Sequence, residues 1–116
     1  VSFLGVQKDT SIWYQAMDVF LMPSLFEGLP VVGIEAQASG LPCVFSDTIT
    51  DEIILSDRAV RLSLEQPDEA WAKELIRLGT ADRDRAEGTG IVRSAGYDIV
   101  EETKRLQEIY VSLIEK

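Results

Sequence analysis

Two carboxylates, Glu27 and Glu35, enclose seven residues in the stretch of this 116-residue chain where a polar site is most readily built. Pro30 suits the first turn of a helix, where its missing N–H is no loss. Gly40 suits the left-handed position just past a helix end, so residues 30–39 read as a helix despite Gly33. At its start, the amides of Leu29, Val31 and Val32 can aim N–H groups at an anion, and the helix dipole adds about half a positive charge there. Glu27 lies in the loop before this helix, beside Gly28. Glu35 lies about one and a half turns into it, so the two acids reach different parts of one extended ligand. Carboxylates accept hydrogen bonds from adjacent hydroxyls, which suits a ribose diol and a sugar ring with phosphates between them. The arrangement describes a nucleotide sugar. Solvated glutamates on a strand–loop–helix are also ordinary α/β punctuation, so spacing alone leaves a plain structural reading open.

Composition narrows the chemistry further. The chain has no His, which removes imidazole bases and His-ligated metals and leaves carboxylates, Tyr and Lys for acid–base work. Its net charge of −9 opposes binding to a nucleic-acid backbone, so no nucleic-acid partner is expected. The lone Cys43 sits in an apolar run with no basic neighbour in sequence, and reads as a small buried hydrophobe in a reducing compartment rather than a nucleophile. No apolar run approaches the ~20 residues that span a bilayer, and the first residues lack the basic flank of a signal peptide. The expected location is cytoplasmic, with peripheral contact at the inner membrane face allowed. With 46% hydrophobic residues, the chain is one small domain or a piece of a larger one, and its start on Val1-Ser2-Phe3-Leu4 reads as entry in mid-domain.

The elements that must position these acids alternate. Ser2–Gly5 reads as a short strand, then Asp9 or Thr10 caps a helix over residues 10–17. Asp18–Met22 is an apolar strand stopped by Pro23, and Pro42–Ser46 is a third strand. Thr50 caps a short helix over Asp51–Leu55, and Ala59–Leu64 alternates as a fourth strand. Pro67 opens a helix with an apolar stripe from Trp71 to Leu78, ended by Gly79. Residues 82–96 read as a broken, charged helix whose acids interleave with Arg83 and Arg85. Ile99, Thr103, Leu106, Tyr110 and Leu113 mark one face of an amphipathic helix that wants a partner surface, with Tyr97 and Tyr110 packing along it. Trp13 and Tyr14 read as core and rim rather than a sugar-stacking platform. Strands alternating with helices predict an α/β, Rossmann-like parallel sheet with crossover helices.

The run from Met22 to Asp47 resembles the signature of glycosyltransferase family 4, the retaining GT-B enzymes. In that signature a Pro-Ser strand end leads to E-x7-E and then Glu-Ala-x-Ala-x-Gly-x-Pro-Val. Here Pro23-Ser24 is followed by Glu27 and Glu35, then Ala36, Ala38, Gly40, Pro42 and, after Cys43, Val44. Phe3-Leu4-Gly5 and Ala16-Met17-Asp18-Val19-Phe20 resemble strand entries of the same family, and the likeness is nearest to the branch that builds capsular polysaccharides and exopolysaccharides. Two departures stand out. Leu29-Pro30 replaces a frequent Phe-Gly pair, and Asp47–Glu52 lacks the glycines of the family's Gly-Gly-x-x-Glu.

The resemblance implies that residues 1–116 are the latter part of a single nucleotide-sugar-binding domain, the C-terminal half of a GT-B fold. Glu35 would bond the donor's ribose hydroxyls, and Glu27, the implied catalytic-site acid, would contact the transferred sugar. Backbone around Gly28, Leu29 and Val31 would hold the diphosphate. A nucleoside-diphosphate sugar, UDP-sugar foremost, and a glycan or lipid-linked acceptor are the implied partners, with neither metal nor cofactor. From Val1 to Asp57 only Lys8 is basic, against eight acids. Cationic help for a diphosphate is therefore expected from elsewhere; the resemblance implies an Arg and a Lys upstream in the same domain, and closure over the donor by an N-terminal domain. On that basis the chain alone is expected to bind donor weakly, to lack transferase activity, and to self-associate through an open sheet edge or the last helix. The rival readings are a GT-B sugar-nucleotide epimerase or hydrolase and a non-catalytic α/β interaction domain.

Overall fold

The computed structural model describes residues 1–81 and 84–115. Three short strands, β1 (Phe20–Met22), β2 (Cys43–Ser46) and β3 (Ala59–Leu62), form one parallel sheet in the order β1-β2-β3. The register sets Phe20 against Cys43 and Met22 against Phe45 on one side of β2, and Cys43 against Ala59 on the other. Every residue of β2 is buried, which is why this central strand, Cys-Val-Phe-Ser, carries no charge. Helix α1 (Ser11–Ala16) precedes β1, and α2 (Val31–Ala38) carries the chain from β1 to β2. A single 3-10 turn, Asp51–Ile53, begins the return to β3. Helices α3 (Asp68–Thr80), α4 (Glu87–Val92) and α5 (Ile99–Ile114) follow. This is the α/β, Rossmann-like layer that the alternation of elements predicts.

Close approach of α2 to the sheet depends on Gly33. A Cβ there would stand 2.8 Å from the Phe45 ring and 3.0 Å from Ile53, both in the core. Gly40 ends the following turn with φ +73°, and a Cβ on it would meet the Arg85 carbonyl oxygen at 2.5 Å. The segment that starts α4 thus lies directly on the turn after α2. A row of rings crosses the core from α1, with Tyr14 edge-on to Phe20 and Phe20 tilted against Phe45, each pair at 6.2 Å between centroids.

Gln37, almost wholly buried, ties α2 to the turn before β3. Its amide nitrogen donates to the carbonyls of Gly33 (3.1 Å) and Ile53 (2.7 Å), and its oxygen accepts from Leu55 N (3.0 Å) and Ser56 N (3.2 Å).

Several expectations need correction. Ser2–Gly5 is not a strand: residues 1–10 carry no regular element, and Phe3 is 96% exposed. A strand needs a ladder, and none of the described strands pairs with this segment. Phe3 and Phe20 segments therefore do not pair directly, and β1 is left as a sheet edge with Leu21 exposed. Helix α3 runs through Gly79 to Thr80, whose hydroxyl donates back to the Ile76 carbonyl. The 3-10 turn stops at Ile53 instead of reaching Leu55, and β3 stops at Leu62. Asp82 and Arg83, part of the interleaved charges, lie outside the described residues, and the broken helix there resolves into α4 and a kink at Gly96 (φ +92°). Tyr110 does not pack; it is exposed with most of the apolar face of α5. No helix is long and apolar enough to cross a membrane among the described residues.

Candidate functional site

The site builds outward from the C-terminal ends of β1 and β2. After β1 the chain turns at Pro23, and Ser24 is fixed over the end of β2. Ser46 Oγ donates to the Ser24 carbonyl at 2.5 Å, and Thr48 Oγ1 lies 2.5 Å from the same carbonyl and 2.9 Å from Ser46 Oγ. This knot of hydroxyls ties the Glu27 loop to the sheet. Glu27 is half-buried and accepts from Ser24 Oγ at 3.3 Å. Gly28 beside it is exposed, with nothing within 4 Å of where a Cβ would stand.

Helix α2 then starts with Pro30 at its N-cap, extended at φ −76° and ψ 116°, and no side chain caps it. The first ring closed is Gly33 N–H to the Pro30 carbonyl at 3.0 Å, which leaves the amides of Val31 and Val32 ahead of the helical ladder. Leu29, Val31 and Val32 are themselves exposed, so this positive helix end is open rather than packed against protein.

Glu35, on the second turn of α2, faces a different neighbourhood from Glu27. It lines an open groove of about 360 Å³ with Lys8, Asp9, Ser11 and Tyr14. Tyr14 donates its hydroxyl to Glu35 Oε2 at 2.9 Å. The phenol is pushed up to about 12, chiefly by burial and then by the Glu35 carboxylate beside it, so it stays a donor across the physiological range. At the mouth of the groove the Ser11 hydroxyl and amide hold the Asp9 carboxyl below the usual carboxylate range. Cys43, buried beneath, has its thiol raised to about 12 by desolvation, the state of a packing residue.

Of the residues singled out from sequence, Gly28, Leu29 and Val31 meet at the open tip of α2, with Glu27 in the loop that leads to it. Glu35 stands about one turn along, four residues past Val31, in a groove that Glu27 does not line. Sequence reading missed the hydroxyl of Tyr14. Its signal was a Tyr rather than a Phe at an inward-facing position, since a buried phenol needs an acceptor. Arg85 was missed in the same way: its guanidinium donates to the carbonyls of Gln15 (2.7 Å) and Met17 at the end of α1, 68 to 70 residues away in sequence.

Comparison with known proteins settles the kinship. The sequence model of the family described as Glycosyl transferases group 1 matches residues 1–80. The chain belongs to the group 1 glycosyl transferases. Among curated group 1 relatives, the putative glycosyltransferase EpsF of Bacillus subtilis (strain 168) is 42% identical over 118 residues, covering 100% of this chain and 31% of that protein. The UDP-Gal:alpha-D-GlcNAc-diphosphoundecaprenol alpha-1,3-galactosyltransferase of Escherichia coli is 28% identical over 115 residues, covering 96% of this chain and 30% of that protein. The lipopolysaccharide core biosynthesis mannosyltransferase LpsB of Rhizobium meliloti (strain 1021) is 26% identical over 120 residues, covering 98% of this chain and 34% of that protein. The chain spans about a third of the length of these relatives. No solved structure gives a significant match.

Proposed function

We propose that the protein containing this chain transfers a hexosyl group from a UDP-sugar to a saccharide or lipid-linked acceptor, with retention of anomeric configuration, in the building of a surface polysaccharide. The observation that carries the reading is the open, uncapped tip of α2, with a loop carboxylate before it and a groove-lining carboxylate about one turn beyond, in a group 1 glycosyl transferase. The names of the relatives support the substrate class: one acts on a UDP-sugar and a lipid diphosphate, and another is a mannosyltransferase of lipopolysaccharide core.

In this reading the amides at Leu29, Val31 and Val32 and the helix dipole receive the diphosphate, whose negative charge grows as the glycosidic bond to the nucleotide breaks. Glu27 holds hydroxyls of the transferred sugar and Glu35 those of the ribose. Both acids position the donor, and neither is required as a nucleophile. Helix-end interactions supply only about 0.3–1 kcal/mol per charge when exposed. Further cations and the acceptor surface belong to the remainder of the protein, with this chain as the latter part of the donor-binding domain.

The test is a donor screen on the full-length protein that reads release of nucleoside diphosphate, followed by Glu27→Ala and Glu35→Ala. Hydrogen bonds to a charged group contribute about 1.5–3 kcal/mol, so each variant is expected to lose roughly 10- to 150-fold in kcat/KM. Unchanged turnover and donor affinity in both variants would discard the reading in favour of a non-catalytic α/β domain.

A further inference from the structure

Glu35 is an exposed glutamate on an open groove, and a side chain of that length gives up much of its rotamer freedom when it is held in one pose. A ligand that needed its carboxylate would have to supply that ordering on binding unless the protein had already done so. The residue that does so is Tyr14. Its ring is only 6% exposed, set edge-on against Phe20, which leans on Phe45 in the core. The helix that bears it is clamped at its C-terminal carbonyls by Arg85, whose own backbone packs on Gly40. The ring is therefore fixed by packing, and its hydroxyl donates to Glu35 Oε2 at 2.9 Å at the edge of the groove that both residues line. Among the described residues Tyr14 is the only hydrogen-bond partner of this carboxylate. A carboxylate has about four lone-pair directions, so one phenol leaves Oε1 and part of Oε2 open to a ligand.

We propose that Tyr14 is a positioning residue: it holds the Glu35 carboxylate in the pose that receives the two hydroxyls of the donor's ribose, so that the ligand meets a preorganised acceptor. The inference rests on the reading of Glu35 as the ribose contact. The Tyr14 hydroxyl acts through that carboxylate and not on the reacting atoms.

The perturbation is Tyr14→Phe in the full-length protein, which keeps the ring and removes the hydroxyl. The readouts are donor KM and kcat with a UDP-sugar and the Kd of UDP by calorimetry, each measured also in a Glu35→Ala background. Tyr14→Phe is expected to raise KM and the UDP Kd three- to tenfold with kcat within twofold. In Glu35→Ala, which is already weak for donor, it is expected to add nothing. An equal rise in both backgrounds would mean that the hydroxyl acts on the fold and not through Glu35, and would overturn the proposal. Unchanged KM and Kd in Tyr14→Phe beside a large rise in Glu35→Ala would also overturn it, while leaving the donor reading intact. A Glu35→Ala protein that binds UDP as well as wild type would remove the donor reading and this inference together.

Discussion

Replacing Gln37 with Met isolates what three hydrogen bonds contribute to holding α2 on the segment that leads to β3. Met matches Gln in length and helix preference, so it fills the same volume without the polar atoms. Gly33 keeps a partner for its carbonyl within the ladder of α2. The carbonyl of Ile53 and the amides of Leu55 and Ser56 lose theirs, now made at 2.7, 3.0 and 3.2 Å. A buried group left without a partner costs about 1–3 kcal/mol. Ile53 is fully buried and falls at the upper end of that range, whereas Leu55 and Ser56 are half-buried and fall at the lower end. Together the loss is about 3–5 kcal/mol, a large part of the 5–15 kcal/mol by which ordinary domains are stable. Urea unfolding of the 116-residue chain followed by circular dichroism measures it as a fall in midpoint at constant slope. Amide exchange at Leu55 and Ser56 should accelerate first. A change under about 1 kcal/mol, with protection retained at both amides, would refute the assignment of Gln37 as the hub joining α2 to β3.

Two further substitutions test the same packing from other directions. Gly40→Ala forces a Cβ onto a residue at φ +73° and within 2.5 Å of the Arg85 carbonyl, so it is expected to lose more than about 2 kcal/mol on unfolding. Gly28→Ala, with open space around the added methyl, should change stability by under about 1 kcal/mol, and equal losses at the two positions would refute the close-approach argument. Burial raises the Cys43 thiol from 9.0 to about 12. The folded state thus keeps its proton while the unfolded state releases it. Stability present below pH 9 is therefore expected to fall as pH rises from 9 toward 12, by up to about 1.4 kcal/mol per unit from this group. Cys43→Ala should flatten the slope between pH 9 and 10, and an unchanged slope there would refute the buried-thiol account. Tyr14, raised for the same reason, adds its own loss only above pH 10.

What could be read from residues alone was set by local rules. The Pro30 start and Gly40 stop of α2 are backbone constraints, and the helix ends within a residue of both. Strand β2 is legible because a short uncharged run between Pro42 and Asp47 fits a covered strand. Thr50 caps its turn as expected, accepting from Glu52 N, yet the helix stops after one 3-10 turn because Leu55 N and Ser56 N are taken by Gln37. The Ser2–Gly5 segment failed for the opposite reason. Its apolar character is local, but a strand exists only where another strand receives it, and that is decided elsewhere in the chain. The contacts that shape the Glu35 groove were equally invisible. Tyr14 reaches across 21 residues to Glu35, and Arg85 reaches across some 70 to α1, and neither distance leaves a periodic trace.

Charge placement around the groove sorts the parts of the proposed donor. Near Glu35 stand Lys8 and Asp9, one cation against two acids, a balance that under the proposed assignment suits neutral hydroxyls better than a diphosphate. The tip of α2 lies about 6 Å back along the helix axis from Glu35, given a rise of about 1.5 Å per residue. There the unsatisfied amides present positive partial charge and no acid belongs to the first turn. Under the proposed assignment a ribose at Glu35 leads its phosphates toward this tip and away from the acids. Glu27, beyond the tip, then meets the sugar rather than the anion. Under the same assignment, the seven residues between the two acids lead from a loop carboxylate, past the amides of a first turn, to a second carboxylate that accepts from the Tyr14 hydroxyl.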